Sequence, residues 1–111
     1  MGYSVVVSPT FRKKVKRLAK KYASLKTELL ALVDTLEKAP EQGIPIGKGC
    51  FKVRLAIRSK GTGKSGGARV ITCVIHVKKE VRLLSIYDKS EQATISEREI
   101  HRILKEDFPE Q

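Results

Sequence analysis

Two apolar stripes near the N-terminus do most to constrain this fold. Phe11, Val15, Leu18 and Tyr22 recur at spacings of four, three and four, so a helix puts them on one face. Leu25, Leu29, Leu32 and Leu36 repeat that spacing, and Val33 widens the second stripe. Ser8-Pro9 opens the first helix, as N-cap and first helical residue. Ser24 is placed to cap the second. Ala39-Pro40 ends it, because a residue before proline avoids the helical region. Two amphipathic helices joined by so short a turn make an αα-hairpin. Its apolar side needs another layer to cover it.

The rest of the chain supplies that layer. Residues 3–7 have β-branched content (Val5, Val6, Val7) and read as a short strand. Residues 41–49 form a loop marked by Gly43, Pro45, Gly47 and Gly49. Residues 52–58 alternate: Val53, Leu55 and Ile57 face one way, and Lys52, Arg54, Ala56 and Arg58 the other. Residues 59–67 are a Gly/Ser/Lys loop. Residues 68–77 are apolar on both faces and predict a central strand, followed by a polar turn. Residues 81–88 form the next strand, paired with it as a hairpin. Ser96 and Glu99 make a capping box, and Ile95 with Ile100 a hydrophobic staple. The helix they open buries Ile100, Ile103 and Leu104 and stops at Pro109. The order β-α-α-β-β-β-α predicts one α+β domain spanning residues 1–111: an N-terminal strand and αα-hairpin packed on a small antiparallel sheet, with a C-terminal helix.

Charge narrows the function. The 111 residues carry a net charge of +11, with 41% hydrophobic and 32% charged residues, too apolar for a disordered chain. No run is apolar enough to span a bilayer, and no basic region precedes Val5–Val7 to make a secretory signal. The expected location is the cytoplasm, with Cys50 and Cys73 as reduced thiols. No acid lies between Glu41 and Glu80, an interval that holds Lys48, Lys52, Arg54, Arg58, Lys60, Lys64, Arg69, Lys78 and Lys79. A basic sheet face beside a glycine-rich loop suits close approach of a phosphate backbone, with counterion release driving binding. The lysines of the first helix read as a solvated face.

Other chemistries fit poorly. Gly63-Lys64-Ser65 resembles the end of a P-loop, but Arg58 stands where its first glycine belongs and a strand follows where a helix is needed. Cys73 and His76 point to opposite faces of a strand, and zinc wants about four ligands. Cys73 reads as core and His101 as a surface helix residue. No metal or cofactor is expected.

Three segments carry a family likeness. They are Cys50-Phe51-Lys52-Val53-Arg54, then residues 63–71 (GKSGGARVI), then Leu84-Ser85-Ile86-Tyr87-Asp88-Lys89-Ser90-Glu91. Together they resemble the RelE/ParE toxin superfamily, in particular the HigB-like RelE toxins of type II toxin–antitoxin systems. That resemblance implies a metal-independent endoribonuclease (an mRNA interferase) that cuts mRNA in the ribosomal A site and blocks translation. The RNA 2′-hydroxyl would attack the adjacent phosphate. The implied partners are a cognate antitoxin, the ribosome with its rRNA, and mRNA; no membrane is involved, and the toxin alone is expected to be a monomer.

The resemblance assigns roles to five residues, and the basic stretch adds three RNA-binding ones. Arg69 would clamp the phosphate. Lys52 and Arg54 would contact it, with Lys52 a candidate base, since neighbouring cations depress a lysine pKa. Tyr87 would stack on a base or orient the 2′-hydroxyl, and Lys89 would stabilise charge or donate a proton. Arg58, Lys60 and Lys64 would bind RNA. The RelE-like pattern has an arginine after the last lysine, where this chain has Ser90, so the general acid stays open between Arg69 and Lys89. Two alternatives remain: a ParE-like gyrase inhibitor without nuclease activity, and a degenerate member that only binds antitoxin or nucleic acid.

Overall fold

A computed structural model describes residues 2–61, 63 and 66–109. The elements are β1 (Ser4–Val7), α1 (Pro9–Lys21), α2 (Leu25–Lys38), β2 (Ile44–Gly47), β3 (Cys50–Leu55), β4 (Ala68–Ile75), β5 (Glu80–Asp88) and α3 (Glu97–Asp107). Short 3₁₀ turns occupy Arg58–Lys60 and His76–Lys78. The strands form one sheet in the order β1-β5-β4-β3-β2. Its helices lie on two sides. The αα-hairpin stripe (Phe11, Leu18, Leu25, Leu29, Leu32, Leu36) packs on Val53, Val70, Leu83 and Ile86. Ile103 and Phe108, from α3 and the residue after it, cover Ile71, Cys73, Leu84 and Tyr87 on the opposite face.

The α+β class and the element types follow the sequence, with four differences. The sheet is mixed rather than antiparallel, because β1 lies parallel to β5, with Val5 opposite Val81. Two helices and three strands separate β1 from β5, so no tight turn fixes the direction of their pairing. Residues 44–47 form the edge strand β2 where glycine and proline predict a loop. Its hairpin with β3 turns through Lys48 (φ 57°) and Gly49 (φ 78°), the two left-handed residues that a tight hairpin requires. The strand over 52–58 ends at Leu55, and the one over 68–77 ends at Ile75. Ser24 does not cap α2: its backbone is helical, and its hydroxyl instead meets Glu28 Oε1 (3.2 Å) and Ser59 Oγ (2.9 Å).

Two caps form as the sequence suggests. Ser96 Oγ accepts from the Glu99 N–H at 3.1 Å, while the Glu99 carboxylate turns to Arg102 instead of closing the box. Ser8 does more than cap. Its Oγ accepts from the Phe11 N–H (2.9 Å) and donates to the Leu84 carbonyl (2.9 Å). Leu84 is the extra residue where the β4–β5 register shifts between Ile71 and Thr72, so this buried hydroxyl satisfies the carbonyl of a bulge. Ser8→Ala removes both bonds and is expected to lower stability by about 2 kcal/mol, measured by urea unfolding.

Candidate nucleic-acid interface

The register of the three central strands builds the site. Arg54 lies opposite Arg69, and Arg69 opposite Tyr87, so these three make one row across β3, β4 and β5. Lys52 pairs with Ile71 one rung along and shares that face. The Val74 N–H donates to the Gly49 carbonyl at 2.9 Å, a bond that flanks the Cys50–Cys73 pair instead of closing it. Cys50–Cys73 is therefore a non-hydrogen-bonded pair. The pair type alternates along an antiparallel ladder, so Arg54–Arg69 is also non-hydrogen-bonded, with Cα atoms about 4.5 Å apart. Like charges directly opposite each other weaken a ladder unless other groups offset them.

The row differs in exposure along its length. Arg54 is exposed and Lys52 half-buried, whereas Arg69 is 6% exposed and Tyr87 1%. Arg69 is thus not the accessible arginine that its small neighbours suggest: Nη1 donates to the Ala68 carbonyl at 3.1 Å. Tyr87 Oη is sealed from water with no hydrogen-bond partner among the described residues. Burial raises the Tyr87 pKa, and the Arg69 charge opposes this without cancelling it. Lys89 is exposed just past β5, and its N–H reaches the Gly67 carbonyl at 3.0 Å, one rung beyond the strand. Gly67 lies so close to β3 that a Cβ would sit 2.1 Å from the Leu55 carbonyl oxygen, a physical reason for glycine at that point of the GKSGGARVI segment. Lys52, Arg54, Arg58 and Lys89 make no side-chain hydrogen bond or ion pair among the described residues. A groove of about 800 Å³ runs past Lys52 and Arg54, along the β3 edge that β2 leaves unpaired beyond Ile44, with α2 as its other wall.

Lys60 has a different place from the one the sequence suggests. Its turn is pinned, not loose. The Arg58 N–H donates to Glu28 Oε2 (2.6 Å), and the Ser59 N–H to Ser24 Oγ (3.0 Å). Lys60 Nζ donates to Asp88 Oδ1 at 2.5 Å, and both side chains are largely out of solvent. Tyr22 Oη donates to Asp88 Oδ2 (2.6 Å), and the Ser90 N–H (2.9 Å) and Oγ (2.7 Å) complete the shell. Burial would raise the Asp88 pKa, but the bonds from Lys60, Tyr22 and Ser90 outweigh it and hold the carboxyl well below the usual range. Only the fold brings these residues together. One carboxylate ties the end of α1, the 58–60 turn and the end of β5 beside Lys89. Lys64 lies outside the described residues.

Among the described residues, no three His, Cys, Asp or Glu side chains gather as a metal site. Cys73 is buried in the core, while His76 bridges Tyr3 Oη and Glu41 Oε2, each at 2.7 Å, on the surface. No described helix is long and apolar enough to cross a membrane.

Comparison with known proteins agrees with this architecture. Three solved structures share the fold. A two-arginine variant of Escherichia coli RelE in the free state has TM-score 0.60 and 16% identity, covering 95% of this chain and 97% of that one. The isolated E. coli RelE toxin has TM-score 0.52 and 19% identity, covering 93% and 97%. The RelBE2 toxin–antitoxin complex from Mycobacterium tuberculosis has TM-score 0.57 and 16% identity, covering 79% and 92%. No curated protein matches. The family model described as "RelE toxin of RelE / RelB toxin-antitoxin system" matches residues 10–106, and the chain belongs to that family.

Proposed function

We propose that this toxin is a metal-independent endoribonuclease that cuts mRNA in the ribosomal A site and is held inactive by a cognate antitoxin. The observation that carries this reading is the Arg54–Arg69 pair, two like charges held at closest approach, which an RNA phosphate between them would turn from repulsion into attraction. Arg54 and Lys52 make the first contact on the face of β3 turned away from the αα-hairpin, and Arg69 supplies the second guanidinium from the neighbouring strand. As the 2′-hydroxyl attacks, negative charge grows on the phosphorane oxygens, and fixed cations stabilise it most at that moment. Lys52 is the base for the 2′-hydroxyl, and Lys89 serves the leaving 5′-oxygen from the far side of the row. Tyr87, buried beside Arg69, orients the row. Arg58, and Lys64 beyond the described residues, extend the track for the RNA backbone. Lys60 neutralises Asp88 in place and contributes to the local field. In this role the toxin acts in the cytoplasm as a monomer.

The test compares one mRNA with and without translating ribosomes. The expected result is cleavage only of the translated message, leaving a cyclic phosphate and a free 5′-hydroxyl. Intact mRNA together with accumulating gyrase–DNA cleavage complexes would replace this reading with a ParE-like one. Arg69→Lys, which keeps the charge but loses the fork, is expected to lose about 10-fold or more in cleavage rate while antitoxin binding persists.

A further inference from the structure

We propose that Cys50 and Cys73 form a site of reversible oxidation, closing a cross-strand disulfide inside the folded chain with hydrogen peroxide as the oxidant. This inference does not rest on the ribonuclease reading. The two residues face each other on β3 and β4. Their pair is non-hydrogen-bonded, so the Cα atoms lie about 4.5 Å apart, within the range a disulfide spans without backbone movement. Both sulfurs lie 3.9 Å from one acceptor, the Lys48 carbonyl oxygen, which puts them on the same side of the hairpin. Both residues are free thiols.

Access and reactivity are also present. A cavity of about 170 Å³ between the β2–β3 turn and α3 is lined by Ile46, Lys48, Cys50, Ile100, His101 and Leu104; it admits a small oxidant as far as Cys50, whose sulfur shares the Lys48 carbonyl with the sulfur of Cys73. The facing Cys50 thiol lowers the Cys73 pKa; burial opposes this, and the Arg82 charge adds to the lowering. Arg82 lies directly opposite Cys73 on β5. The pair therefore favours thiolate at Cys73, the form that reacts. That sulfur attacks one peroxide oxygen, the O–O bond breaks, and the departing hydroxide takes a proton to become water. Cys73 is then a sulfenic acid. The Cys50 sulfur attacks the oxidised sulfur, the S–O bond breaks, and the released hydroxide takes the Cys50 proton as a second water. Two thiols have lost two electrons, and one peroxide has become two waters. The disulfide would close a loop containing Lys52, Arg54, Arg58, Lys60 and Arg69, so oxidation would staple the segment that carries the cations.

The experiment oxidises the reduced full chain with hydrogen peroxide, unfolds it, alkylates it with N-ethylmaleimide and weighs it. The expected product is about 2 Da lighter, takes no maleimide, recovers both thiols with dithiothreitol, and melts on the order of 10 °C higher before unfolding. Cys73→Ser under the same treatment should never become lighter. Two maleimide adducts after peroxide, oxygen adducts in place of the disulfide, disulfide-linked dimers, or a lower melting temperature would each overturn the proposal.

Discussion

Replacing Arg54 with alanine is expected to lower cleavage of translated mRNA by about 10²–10³-fold while leaving the melting temperature unchanged or slightly raised. The two halves of this result have one cause. Arg54 is exposed and holds no partner among the described residues, so the folded state loses little with it. It also stands opposite Arg69 at closest cross-strand approach, so its removal relieves repulsion. A residue kept against stability has a function elsewhere, and the one proposed for Arg54 is the attraction of a phosphate. Steady-state cleavage in a purified translation system, beside thermal unfolding of the same samples, reads both halves. A variant that loses stability and activity together would make Arg54 a structural residue.

Removing the Asp88 carboxylate has the opposite signature. Asp88→Ala is expected to cost about 3 kcal/mol or more and to lower the melting temperature by about 10 °C. It strands Lys60 Nζ, Tyr22 Oη and the Ser90 N–H together. Lys60 keeps 13% of its side-chain exposure, so water recovers part of its hydration, which puts the figure at the low end for a broken buried pair. The pH dependence follows from the depressed carboxyl. A folded pKa below the unfolded value stabilises fully above the ordinary Asp value of 3.8, and that contribution is lost as pH falls below it. Below about pH 4, wild-type stability should therefore fall more steeply than that of Asp88→Asn. Parallel acid limbs in urea titrations of the two proteins would show that Asp88 is not the group responsible.

The sequence made the secondary structure legible wherever periodicity was strong. The helix stripes, the capping residues Ser8 and Ser96, and the alternation of β3 all follow from local spacing. The four-residue strand β2 was hidden, since its glycines and Pro45 read as loop punctuation while the fold uses the glycines for a tight turn. The direction of β1 was hidden as well, because no local signal chooses parallel pairing. In the site, residue types were legible but their arrangement was not. Lys60 looks like any loop cation until Asp88, far along the chain, comes beneath it. Arg69 looks accessible until packing covers it. The facing of Arg54 on Arg69, and of Cys50 on Cys73, depends on a register that spacing alone does not fix.

The arginine row is proposed to bring about attack by an RNA 2′-hydroxyl on its own phosphate. Ribosomes programmed with an mRNA carrying a single 2′-deoxynucleotide at the scissile position in the A-site codon test it most directly. The toxin is expected to cut the all-ribose message and to leave the deoxy-substituted one intact at that position. Equal cleavage of both messages would contradict it.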